Sequence, residues 1–189
     1  MNATHLPRVT PDDFAYAKHA FLDGLAHLQA GRLAEAEAAF EASLARVPGR
    51  ASTLTNLAAT RLARGRPADA LAAADAALAA EPDHADAGLQ RARALTALGR
   101  PGDALVAYDR LVALRADWAP AWMLRGETLE RLGGVDEALQ SHDRALALDP
   151  THAAAWSRRG GLMRELGRLD DAAAAYAQAI AHGLDDELH

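Results

Sequence analysis

The chain has 189 residues, half of them apolar and 24% charged, with a formal net charge of −6 and no cysteine. That apolar share excludes a disordered chain, and the missing cysteines exclude disulfides, thiolate metal sites and cysteine nucleophiles. No apolar run reaches the roughly 18 residues a membrane helix needs, residues 1–16 lack the apolar core of a secretory signal, and the negative total disfavours bulk nucleic-acid binding.

Residues 1–16 read as an extension leading into a first helix, which Thr10–Pro11–Asp12–Asp13 starts near Pro11. From residue 17 the sequence repeats itself every 34 residues. Gly31, Gly65, Gly99, Gly133 and Gly167 mark the period, and Ala36, Ala70, Ala104, Ala138 and Ala172 follow five residues later. Five units result, 17–50, 51–84, 85–118, 119–152 and 153–186, with 187–189 as a tail. Each reads as two helices broken at the glycine.

In the first unit Phe21, Leu22, Leu25 and Leu28 give an apolar first helix, and Phe40 and Pro48 belong to the second half. In the second and third units Pro67 and Pro101 stand where the second helix begins, a position that tolerates proline. Asp69, Asp103, Asp136 and Asp170 fall in the same first turn, where a carboxylate favours the positive end of the helix dipole. In the fourth unit Trp122, Leu129 and Leu132 share one helical face before Gly133–Gly134; Val135, Ala138, Leu139, His142, Ala145 and Leu146 form a second stripe that ends before Asp149–Pro150. The fifth unit carries Trp156 and Tyr176, and its last helix spans roughly Asp170 to His182 before Gly183. Gly24, Ala58, Ala92, Gly126 and Gly160 recur at one place of the first helix, where small side chains let two helices approach closely.

This pattern resembles the tetratricopeptide repeat (TPR) family, a 34-residue helix–turn–helix with Trp, Gly or Ala, aromatic, Ala, aromatic and Pro at fixed places. The matches are Trp122, Gly126, Ala138 and Pro150 in the fourth unit, Trp156, Gly160, Ala172 and Tyr176 in the fifth, and Gly24, Ala36, Phe40 and Pro48 in the first. Departures are Ala20 and Gly88 in the Trp place, Ala74 and His142 in the second aromatic place, and Ala116 and Leu184 in the Pro place. The resemblance implies an all-α fold, a right-handed α-solenoid of five tandem TPR helix–turn–helix repeats over residues 17–186, with the first helices lining a concave face. It also looks like bacterial TPR regions. The family's clamp for a C-terminal carboxylate is not implied, because of its five places in the first three units only Asn56 matches.

The charges have a period of their own. Asp75, Asp109 and Asp143 each precede an arginine by 16 residues, Arg91, Arg125 and Arg159, across a unit boundary. Two readings stand: a ladder of inter-repeat ion pairs, or three unrelated surface charges. Where the arginine is replaced by Leu57, the preceding place holds Glu41. The first helices carry ten basic and five acidic residues, a net of +5, which leaves −11 for the rest of the chain.

Helical spacing places Asn56, Leu89, Gln90, Arg93, Met123, Glu127, Arg131, Ser157 and Arg158 on the concave face. Amides and guanidinium groups suit the backbone of an extended peptide. The expected function is therefore a non-catalytic protein–protein interaction scaffold that binds a peptide or partner segment in the groove. A second reading is the N-terminal targeting or regulatory region of a larger enzyme of glycosyltransferase, sulfotransferase or methyltransferase type. A third is a self-assembling structural protein. The chain has no glycine-rich phosphate loop, no GxSxG elbow and no HExxH helix, and His19 and His27 are too far apart along one helix to share a metal. No cofactor, metal, nucleic acid or membrane is expected, and the expected location is cytoplasmic. Trp118 is expected half exposed, with an aromatic ligand cage as one use for it. At the C-terminal end the face of Tyr176, Ala179 and Ile180 is expected to be uncovered. Either the chain continues from Asp185–Asp186–Glu187 into a further helix, or it forms a homodimer through that end.

Overall fold

The computed structural model describes residues 9–183, and among them the secondary structure is ten α-helices without a strand. They form two compact units, one ending at Leu98 and one beginning at Gly99. The first unit holds α1 (Pro11–Gln29), α2 (Leu33–Arg46), α3 (Ala51–Ala63), α4 (Pro67–Ala80) and α5 (Ala85–Ala97). The second holds α6 (Pro101–Leu114), α7 (Ala119–Leu132), α8 (Val135–Leu148), α9 (Ala153–Glu165) and α10 (Leu169–Ala181). Within each unit every helix packs on its neighbour in sequence, and α3 also touches α5.

Helix ends follow from local chemistry. Thr10 caps α1 in a reciprocal box: its hydroxyl accepts from the Asp13 N–H while the Asp13 carboxylate accepts from the Thr10 N–H. The Thr10 hydroxyl also donates to the Asp13 carboxylate at 2.7 Å, and that bond, with the one from the Thr10 N–H, holds the Asp13 carboxyl below its ordinary range. The five period-marking glycines all take positive φ, 70° to 80°, a conformation other residues reach only at a cost. Pro67 and Pro101 occupy the first turns of α4 and α6. His84 and His152 cap α5 and α9, each accepting the backbone N–H three residues on through Nδ1.

The hairpins close around large-on-small contacts. A Cβ added at Gly24 would lie 2.5 Å from Phe40 Cε1, and one at Gly160 would lie 2.9 Å from the Tyr176 ring. In the first unit Phe40, Leu57, Ala36 and Ala74 form a cluster against which Phe21, Leu25 and Leu28 pack. Of the apolar residues of the first helix, Phe21, Leu25 and Leu28 pack on this cluster, while Phe14, Tyr16 and Leu22 are about half exposed. In the second unit Met123, Ala145, Leu146 and Ala155 pack with Trp122 and Trp156. The indole N–H groups of Trp122 and Trp156 donate to the carbonyls of Ala116 and Pro150, at 3.0 and 2.8 Å. That hydrogen bond suits a half-buried indole, which has one donor to satisfy.

Candidate protein-binding site

On the first unit two adjoining clefts run along α3 and α5. The upper one, about 290 Å³, is lined by Ser52, Thr55, Asn56, His84, Asp86 and Gln90. The lower one, about 370 Å³, is lined by Leu62, Gln90, Arg93 and alanines. Gln90 belongs to both; it is 9% exposed, and its Oε1 is a buried oxygen without a hydrogen-bond partner. Asn56 is half-buried, and its Nδ2 donates to the Ser52 carbonyl at 2.8 Å. That contact fixes the amide and leaves Oδ1 facing other donors. Arg93 is exposed, and Leu89 is partly buried one turn above it.

On the second unit the arrangement is ionic. Arg158 on α9 reaches Glu130 Oε2 at 3.5 Å and Glu127 Oε1 at 3.9 Å on α7. The other oxygen of Glu130 lies 2.7 Å from Nε2 of His142, a side chain with no solvent exposure. His142 holds the place taken by Phe40 and Tyr176 in other repeats, and its ring crowds Gly126, where a Cβ would sit 2.5 Å from Cε1. Arg131 is exposed and Ser157 partly buried. Met123 departs from the groove assignment: at 5% exposure it is a core residue between the two tryptophans. The face of a TPR first helix is narrower than its helical wheel suggests, because neighbouring helices cover its flanks.

The three Asp–Arg spacings converge on one geometry. Arg91 Nε lies 2.7 Å from Asp75 Oδ1, Arg125 Nε 2.7 Å from Asp109 Oδ1, and Arg159 Nε 2.8 Å from Asp143 Oδ1. Arg125 also donates to Ser141 Oγ at 2.6 Å and stacks over Trp122, while Arg159 stacks over Trp156. The aspartate side chains are 49–51% exposed, so these are surface pairs. Trp118 is partly buried and carries Arg115 over its ring, 5.6 Å from the centroid.

The strongest ionic cluster is one that the 16-residue spacing does not reveal. Glu37 on α2, with a side chain 5% exposed, accepts from Arg61 Nε at 2.8 Å, from Arg66 Nη1 at 2.9 Å and from Arg64. Burial alone would push its carboxyl up; the hydrogen bonds from Arg61 and Arg64 and the charges of Arg66 and Arg64 outweigh that and hold it below its ordinary value. Arg61 also holds Glu41 at 2.8 Å, so Glu41 is paired despite Leu57 in the ladder place. The signal was present in the sequence. Glu37 stands where Leu71, Leu105 and Leu139 stand, and Arg61 where Leu95, Leu129 and Met163 stand.

At the C-terminal end the expected open face holds only for Ile180, which is 61% exposed; Ala179 is fully buried and Tyr176 is partly buried over Gly160, while Leu169 on the same helix is 65% exposed. The expected further helix at Asp185–Asp186–Glu187 lies outside the described residues. Among the described residues no group of three His, Asp or Glu side chains is placed to hold a metal, and no helix is long and apolar enough to cross a membrane.

Paired helices recurring every 34 residues, glycine-broken and closed by large-on-small contacts, define a helical-hairpin repeat protein. Two family models described as tetratricopeptide repeat match the chain, one over residues 61–127 and the other over residues 14–51 and 123–186. The chain belongs to the tetratricopeptide repeat family, and its fold is an all-α TPR solenoid. Among solved structures it is similar to MamA (22% identity, TM-score 0.79, covering 84% of this chain and 93% of that one). It is also similar to TTC0263, a thermophilic TPR protein in Thermus thermophilus (28% identity, TM-score 0.70, covering 90% and 93%). A third is YrrB, described as a TPR protein with an unusual peptide-binding site (22% identity, TM-score 0.74, covering 90% and 88%). No curated protein matches the chain.

Proposed function

We propose that the protein is a non-catalytic interaction scaffold that binds a segment of a partner protein on the faces of its first helices. The observation that carries this reading is the pair of adjoining α3/α5 clefts, open and of mixed polar and apolar lining, with Asn56 in one, Arg93 in the other and Gln90 in both. A buried amide oxygen without a partner fits a site completed by a ligand's backbone N–H. The peptide-binding site in the description of YrrB is consistent with it. The test is a pull-down from native extract with wild type, Arg93→Glu and Ala76→Lys, the last on the exposed side of α4. A partner retained by wild type and Ala76→Lys but lost with Arg93→Glu is expected. Loss with Ala76→Lys and retention with Arg93→Glu would place binding on the other helices and end the proposal.

A second reading is self-association through α10, favoured by the exposure of Leu169 and Ile180 on that helix. It predicts a mass that rises with concentration in sedimentation and falls to the monomer with Ile180→Lys.

A further inference from the structure

Most charged groups on the first helices are tied to protein partners, but two on α5 are not. Asp86 and Arg93 are exposed, and neither side chain has a hydrogen bond or ion pair among the described residues. They are seven residues apart, so they share one helical face and stand roughly 10 Å apart along the axis. Gln90 lies between them on the same face, with its unpartnered oxygen, and Asn56 faces the same cleft from α3. The site is therefore a dipole: a carboxylate at one end, a guanidinium at the other, and amides between.

A ligand that matches it carries the opposite dipole at the same spacing. In a polyproline II segment, residues i and i+3 point to the same side and are about 9 Å apart. A β-strand does not fit as well, because residues three apart point to opposite sides.

Building on the groove-binding reading above, we infer that the α3/α5 cleft selects an extended protein segment with a basic residue and an acidic residue three positions apart. The basic side chain sits at Asp86 and the acidic one at Arg93. The intervening peptide groups meet the amides of Gln90 and Asn56, which bind main chain without demanding a sequence. Arg93 prefers a carboxylate for its planar fork of donors.

The experiment uses fluorescein-labelled peptides built around Lys-Pro-Ala-Glu, Lys-Pro-Ala-Gln, Gln-Pro-Ala-Glu and Gln-Pro-Ala-Gln, titrated with the full chain at low salt and read by anisotropy. The expected order places Lys-Pro-Ala-Glu tightest, with roughly a fivefold loss for each charge removed, the upper range for an exposed pair. Asp86→Asn should abolish the preference for Lys over Gln and leave the preference for Glu; Arg93→Gln should do the reverse. Circular dichroism of both variants should match wild type, since both side chains are exposed. Equal affinity for all four peptides, lost with Asn56→Ala and Gln90→Ala, would overturn the charge selection while sparing the groove. Binding that survives all four substitutions would overturn both. Absence of binding to any peptide at millimolar concentration would overturn the selection of this ligand class.

Discussion

Replacing Glu37 by leucine tests whether the buried cluster in the first unit is a substituted hydrophobic contact. Glu37 and Arg61 occupy places that hold Leu105 and Leu129 two repeats later, and those two leucines pack in one apolar cluster with Leu139 and Leu162. The single variant Glu37→Leu leaves Arg61, 18% exposed, without its most buried partner. Breaking a buried pair costs about 3–5 kcal/mol when the remaining charge has nowhere to go. Here Arg61 keeps Glu41, and Arg64 and Arg66, with side chains 34% and 43% exposed, can turn to water. The expected cost is therefore lower, about 2–3 kcal/mol. The double variant Glu37→Leu/Arg61→Leu restores the contact made elsewhere in the chain and should recover to within about 1 kcal/mol of wild type or exceed it. Urea unfolding followed at 222 nm gives the differences, with hydrogen exchange of α2 and α3 amides as a local readout where the transition is not two-state. The pH dependence has a definite sign. The folded Glu37 carboxyl lies below its ordinary value of 4.5, so its stabilisation is complete well above that value and is lost as pH falls through the folded value. The gap between wild type and Glu37→Leu should thus narrow on acidification. A double variant no more stable than the single, or a single indistinguishable from wild type at pH 7, would refute the reasoning.

Three further outcomes follow. Asp109→Ala and Asp143→Ala should each change unfolding free energy by about 0–1 kcal/mol, because the carboxylates are half exposed. Arg125→Ala should cost more, about 1–2 kcal/mol, since it also removes the Ser141 hydrogen bond and the cover over Trp122. Gly126→Ala should destabilise the second unit by about 1–3 kcal/mol, and His142→Ala in the same chain should relieve the overlap; thermal unfolding of both variants checks it.

Much of the fold was legible because its punctuation is local. The glycines sit at positive φ, the prolines open helices, and Gly24, Gly126 and Gly160 each meet a ring, as a small residue at that place requires. The Asp–Arg distances were legible for a related reason: a spacing of 16 that recurs in phase with the repeat fixes one geometry three times. Met123 was misplaced because a helical wheel ignores what packs on its flanks, and Trp156 from the next hairpin covers that flank. Glu37 was missed because it breaks the pattern instead of following it. A lone acid in an aliphatic place reads as a surface residue until its partner, 24 residues on, is found to break the same pattern. His142 departs visibly from the aromatic place, but its Glu130 contact depends on rotamers that spacing does not encode.

The net of +5 on the first helices overstates what a ligand meets. Arg61 and Arg64 are held by Glu37, Arg91, Arg125 and Arg159 by aspartates of the preceding helix, and Arg158 by Glu127 and Glu130. Charge already neutralised within the protein contributes little field to a partner and must be unpaired before it can bind one. This changes how the groove should be probed. Arg158→Glu would set a third carboxylate beside Glu127 and Glu130, so lost binding would report repulsion among them as readily as a lost contact. Arg93 has no side-chain ion pair among the described residues for Arg93→Glu to break, so its effect reads more directly on the ligand. The informative charges on this face are the unpaired ones, and on α5 they stand one in each of two adjoining clefts that share Gln90.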